Sequence, residues 1–113
     1  MRVLIVEDEY LIAAGAAAAL QQAGCEVVGM AGNVAKAMQL LEGSRCTAAV
    51  LDANLDGASA EPVATALLER GIPFLVISGY TARQRQGVLA GAPFIAKPFS
   101  AVDLVARVLA LRK

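Results

Sequence analysis

The chain has 113 residues, 58% of them hydrophobic and 18% charged, which is the composition of one globular domain spanning 1–113. Ten Lys+Arg offset ten Asp+Glu, arguing against direct nucleic-acid or anionic-membrane binding through bulk charge. The absence of histidine excludes Ser-His-Asp and Cys-His catalysis, a His-liganded zinc site and autophosphorylation on histidine.

The elements alternate along the chain. Arg2–Val6 (RVLIV) is a continuous apolar run, as expected of a central parallel strand covered on both faces. Tyr10–Ala23 is alanine-rich and helical, and Gly24 stops it. Its uncharged stretch Tyr10–Leu20 is about half of the roughly 20 residues that span a bilayer, and with Glu7-Asp8-Glu9 so early no signal peptide is expected. A soluble, cytoplasmic protein is expected. Glu26–Met30 is a second strand. Asn33 caps a helix to about Leu41, closed by Gly43. Ala48–Leu51 is a third strand, running directly into Asp52. Ser59–Pro62 opens a third helix, ended by Gly71. Phe74–Ile77 is a fourth strand ending at Ser78. Thr81–Leu89 is a weak helix, with Gly87 inside it and few apolar anchors, and so is expected to be marginal. Its Arg83 and Arg85 are read as a solvated polar face. Phe94–Ala96 is a fifth strand leading into Lys97-Pro98. Ser100 caps a last helix, Val102–Leu111, with Val102, Val105, Val108 and Leu109 on one face.

Strands alternating with helices in one small domain predict an α/β fold, a doubly wound five-stranded parallel sheet. The flavodoxin-like order 2-1-3-4-5 and the dinucleotide-binding order are the two common topologies. In either, the functional crevice lies outside the carboxyl ends of the strands. In the 2-1-3-4-5 order Glu7-Asp8, Asp52, Ser78 and Lys97 converge on one edge. Three carboxylates on adjacent strands repel one another and need counter-charge. Lys97 supplies one, and a hard divalent cation held by oxygen ligands, Mg²⁺, supplies another. Taken singly, each residue has an ordinary reading as a cap, a turn former or a solvated loop. Their joint placement, with Asp8, Asp52 and Lys97 spaced by 44 and 45 residues, points to a site.

The motifs VED (Val6-Glu7-Asp8), LDANL (Leu51–Leu55), ISG (Ile77-Ser78-Gly79) and FIAKPF (Phe94–Phe99) resemble those of response regulator receiver domains of two-component signalling. The resemblance covers essentially the whole chain. Ser78-Gly79-Tyr80 is similar to a subgroup with a Thr/Ser-Gly-Tyr signature. The resemblance implies a flavodoxin-like (βα)5 fold and phosphorylation of Asp52 from the phosphohistidine of a histidine kinase or phosphotransfer protein. It implies Mg²⁺ ligation by Asp8, Asp52 and the Asn54 carbonyl, with Glu7 acting through water. Lys97 and Ser78 would contact the phosphoryl oxygens. Ser78, Tyr80 and Phe94 would form the switch, although Phe94 can equally cover the core as an edge-strand residue. Output would be a protein contact through the face of helix four, strand five and helix five, from a stand-alone receiver without an output domain. A phosphate sink or relay, or a pseudo-receiver that never carries phosphate, are the alternatives.

Three features narrow this reading. A nucleotide- or flavin-binding module needs a glycine- or hydroxyl-rich phosphate loop after strand one, and Glu7-Asp8-Glu9 is opposite in charge. The family's proline four residues after the acceptor is replaced by Asp56, so this loop and the start of helix three are expected to differ, with Asp56 facing water. Cys25 and Cys46 lie about two strand spacings apart, near 10 Å, beyond the roughly 7 Å limit for a disulfide, and are expected to be buried and free.

Overall fold

The apolar run Arg2–Val6 forms β1, the second strand of a five-stranded parallel sheet. The computed structural model describes residues 1–79 and 87–111. In chain order the other elements are α1 (Tyr10–Gln22), β2 (Glu26–Ala31), α2 (Val34–Gly43), β3 (Ala48–Asp52), β4 (Asn54–Leu55), β5 (Ala58–Ser59), α3 (Glu61–Glu69), β6 (Phe74–Ser78), β7 (Phe94–Ala96) and α4 (Ala101–Leu109). The sheet runs β2-β1-β3-β6-β7, with every neighbouring pair parallel. Counting only the five strands of this sheet, this is the expected 2-1-3-4-5 order.

Because side chains alternate across a strand, each central strand feeds two cores. Leu4, Val6, Leu51 and Val76 pack with Ala37 and Leu41 of α2 and with Val63 and Leu67 of α3. Val3, Ile5, Val50, Leu75 and Ile77 pack with Ala13, Ala16, Ala17 and Leu20 of α1 and with Leu104 and Val108 of α4. Each fully buried Leu, Ile or Val contributes roughly 1.5–3 kcal/mol of transfer free energy. The alanines of α1 combine high helix propensity with small volume, so this helix lies close against the sheet and its neighbour α4.

Asn33 accepts the Lys36 N–H at 2.8 Å and Ser100 accepts the Asp103 N–H at 3.0 Å, so both predicted N-caps are in place. Gly24, at φ 93°, closes α1. The Cys25 N–H reaches the Leu20 carbonyl at 2.9 Å and the Gly24 N–H reaches the Gln21 carbonyl at 3.1 Å, a Schellman closure that requires a left-handed residue at Gly24.

Several elements differ from expectation. Gly43 lies inside α2, and Ser44 is its C-cap, its hydroxyl hydrogen-bonded to the Leu40 carbonyl. α3 begins at Glu61 with Ala60 as N-cap; Ser59 lies in β5 and accepts the Glu61 N–H at 3.1 Å. On the last helix Val102 is 81% exposed; the inward face is Leu104 and Val108, flanked by Val105 and Leu109. Of the expected fourth helix, the described residues Gly87–Leu89 form a 3₁₀ turn. Residues 80–86, and with them the expectations for Tyr80, Arg83 and Arg85, lie outside the described residues. Cys25 and Cys46 are buried and free.

The antiparallel β4–β5 hairpin was not expected. It pairs Asn54 with Ser59 and Leu55 with Ala58. Its turn is Asp56-Gly57 at φ 53° and 90°, the type I′ geometry that Asp-Gly favours. The departure at Asp56 therefore has a structural consequence: the loop after the central strand is a closed hairpin.

Replacing Gly24 with alanine places a side chain at left-handed φ. It should cost about 1–2 kcal/mol, read as a lower urea midpoint at unchanged slope. An unchanged midpoint would show that the Schellman closure is dispensable.

Candidate functional site

The three strand ends bring their polar residues to one edge of the sheet. After β1 the Glu7 N–H still bonds to the Ala31 carbonyl at 2.8 Å, which keeps Glu7 in the sheet with its side chain buried. Asp8, one residue on, is exposed. β3 ends at Asp52, opposite Ile77 and 3% exposed, and β6 ends at Ser78, 2% exposed. Ser78 pairs with Ala96, and its carbonyl accepts the Lys97 N–H at 2.9 Å, which delivers Lys97 to the same edge. The Lys97-Pro98 peptide is cis.

Lys97 is the hub of the cluster. Its Nζ lies 3.0 Å from Asp52 Oδ2, 3.2 Å from Glu7 Oε1 and 3.3 Å from Glu9 Oε1. Asp52 Oδ1 accepts the Asn54 N–H at 3.0 Å, and Glu7 Oε1 also accepts the Glu9 N–H at 3.1 Å. The Ser78 hydroxyl donates to the Gly79 carbonyl at 3.4 Å. Asn54 Oδ1 accepts the Gly57 N–H at 2.7 Å, so this side chain braces the hairpin turn.

Burial penalises the Glu7 charge, and repulsion from the neighbouring Asp52 carboxylate adds to it. Together they raise the Glu7 pKa to about 8 against the opposing pull of Lys97. For Lys97, burial disfavours the ammonium, but Asp52 and Glu7 outweigh it and the pKa moves up. Lys97 stays charged, and it is shared among more negative charge than it can neutralise.

The residues fit a divalent cation. Carboxylate oxygens of Glu7, Asp8 and Asp52 lie within 4.8 Å of one another. Glu7 Oε2 is buried and has no hydrogen-bond partner. An all-oxygen donor set with an orphaned carboxylate oxygen is the chemistry a hard cation such as Mg²⁺ selects.

The structure thus gathers Glu7, Asp8, Asp52, Asn54, Ser78 and Lys97. Phe94 stands apart, on β7 with 38% of its surface exposed, and its carbonyl accepts Arg107 Nη1 at 3.1 Å. Sequence reasoning missed Glu9, which was read only as part of an acidic run. It occupies the N-cap position of α1 but makes no side-chain cap, because its carboxylate turns to Lys97. A polar residue before a helix that lacks a better capping type was the available signal.

The Glu7 pKa yields a pH-dependent prediction. Its carboxyl binds a proton more tightly when folded, so the associated stability is complete below the unfolded value of about 4.3 and is lost as pH rises through about 8. In chelator, Glu7→Gln should therefore gain stability over the parent between about pH 5 and about pH 9, reaching about 1–3 kcal/mol. Urea unfolding at both pH values checks this, and a difference independent of pH would contradict it.

The arrangement has relatives. The sequence model of the response regulator receiver domain matches residues 3–109. The transcriptional regulatory protein PdtaR of Mycobacterium tuberculosis is 31% identical over 108 residues, covering 92% of this chain and 53% of that protein. The transcriptional regulatory protein PrrA of Mycobacterium bovis is 35% identical over 115 residues, covering 97% and 49%. The chain thus spans about half the length of these two regulators. The solution structure of SdrG from Sphingomonas melonis Fr1 superposes with a TM-score of 0.85 at 38% identity, covering 98% of this chain and 94% of that one. The chain belongs to the response regulator receiver domain family.

Proposed function

We propose that this receiver takes a phosphoryl group onto Asp52 and uses it to change its protein contacts. The observation that carries the reading is the environment of Asp52: a buried carboxylate 3.0 Å from Lys97 Nζ and clustered with Glu7 and Asp8. A buried carboxylate held beside an ammonium in this way is suited to act as a nucleophile.

An Asp52 oxygen supplies the electron pair for a new P–O bond. The P–N bond to the histidine of a kinase or phosphotransfer protein breaks, and its electron pair leaves with the imidazole. With no histidine in this chain, the donor histidine is the partner's. Asp8, Asp52 and the Asn54 carbonyl would hold Mg²⁺, with Glu7 acting through water, and the ion's chemistry is to offset charge on the transferring oxygens. Lys97 shifts from the Asp52 carboxylate to a phosphoryl oxygen. The Ser78 hydroxyl, which donates to the adjacent Gly79 carbonyl at 3.4 Å, gives up a long contact to donate to the same group.

The added charge and acceptor oxygens draw Ser78 and Lys97 together. Both are tied to β7 by the Ser78–Ala96 register, so the pull reaches Phe94 at the other end of that short strand. The output contact is then made on the side of β7 and α4, where Phe94 and Val102 are exposed. Among the described residues no helix is long and apolar enough to cross a membrane, and we place the protein in the cytoplasm with its kinase's phosphohistidine.

Intact-mass spectrometry after incubation with a small phosphoryl donor tests this. A gain of one phosphoryl group is expected only with Mg²⁺ and only when Asp52 is present; chelator or Asp52→Asn should abolish it. A gain that persists in Asp52→Asn would move the acceptor elsewhere, and no gain in the parent would overturn the reading.

A further inference from the structure

The lip of the cleft carries a charge that the acceptor chemistry does not use. A cavity of about 360 Å³ opens over Asp52 and is lined by Asp8, Glu9, Asp52, Asp56 and Lys97, among others. Among the described residues, four carboxylates there face one ammonium. Asp8, Glu9 and Asp52 have their places in the cation and lysine cluster. Asp56 has none: among the described residues no ion pair or side-chain hydrogen bond binds it to the cluster.

Asp56 is nevertheless held at the lip by construction. It sits at φ 53° in the type I′ turn. The turn is braced by the bond from the Gly57 N–H to Asn54 Oδ1 at 2.7 Å, and the hairpin is anchored by Leu55, buried in the core. The Ala60 N–H returns to the Ala53 carbonyl at 3.2 Å, so both ends of the hairpin are tied at the base of the site. The hairpin therefore keeps a negatively charged side chain at the lip of the cavity that opens over the acceptor. Such a charge repels an incoming anion in proportion to the anion's own charge, and salt screens the effect.

We propose that Asp56 is a donor-selecting residue: its charge, fixed over the mouth of the cleft, slows uptake from small, doubly charged phosphoryl donors. This rests on the reading of Asp52 as the acceptor. The chemistry is the same for every donor: Asp52 forms a P–O bond while the donor's own bond to phosphorus breaks. An acyl phosphate loses its P–O bond with the electron pair departing on the carboxylate. Phosphoramidate loses its P–N bond and releases ammonia. Only the charge of the approaching donor differs, dianionic in the first and monoanionic in the second.

The test compares initial rates of labelling for the parent and Asp56→Asn, by intact mass, at Mg²⁺ concentrations saturating for each protein. Asparagine tolerates left-handed φ, and Asn-Gly is a favoured type I′ pair, so the hairpin is retained. At about 20 mM salt the variant should take phosphate from acetyl phosphate about 2–5 times faster than the parent, with a smaller gain for phosphoramidate; both gains should vanish near 0.5 M salt. Equal gains for the two donors, a gain that survives high salt, or no gain would overturn the role of Asp56. A slower variant with weakened Mg²⁺ binding would overturn it too, by making Asp56 part of the cation site. A parent protein that neither donor labels would instead overturn the acceptor reading, and this proposal with it.

Discussion

One ammonium holds the functional edge of this molecule together. Lys97 Nζ lies within 3.3 Å of carboxylate oxygens from Glu7, Glu9 and Asp52, three groups that would otherwise repel one another in a partly dehydrated pocket. Burial makes the Glu7 and Asp52 charges costly unless they are paired. One cation cannot balance them all, and the surplus is visible as the raised Glu7 pKa and as the unpartnered Glu7 Oε2. The site is built with a deficit of positive charge, which suits it to a divalent cation and to chemistry in which the lysine changes partners.

The fold supplies this arrangement through register. Asp52 lies opposite Ile77, and Ser78 lies opposite Ala96, the residue before Lys97. A slip of one residue would turn each of these side chains to the other face. The two cores prevent such a slip, because Leu4, Val6 and Leu51 must face α2 and α3 while Val3, Ile5 and Val50 face α1 and α4. The placement of the acidic groups is thus a consequence of apolar packing along the whole length of β1 and β3.

The long elements were legible because their signals are strong. Apolar runs such as RVLIV and FLVI, caps such as Asn33 and Ser100, and stops such as Gly24 each have one plain physical meaning, and the polar residues at the strand ends followed from them. The β4–β5 hairpin is harder to read, since two-residue strands carry no periodicity; the Asp-Gly pair is its sole signal, and it coincides with the departure from the family's proline. Val102 was assigned to the inward face by its hydrophobicity, whereas the helix turns Leu104 and Val108 to the core. Glu9 was not singled out because its role depends on a lysine 88 residues away, a distance that local patterns do not span.

The central claim is that the acidic edge is completed by a divalent cation. Thermal unfolding across a Mg²⁺ titration, for the parent and for Asp8→Asn, tests it most directly, because a ligand bound only by the folded state raises the midpoint as its site fills. The account predicts a rise in the parent that is lost or strongly weakened in Asp8→Asn, whose exposed carboxylate can contribute to the cation site without being needed by the core. The same rise in both proteins, or none in either, would contradict it.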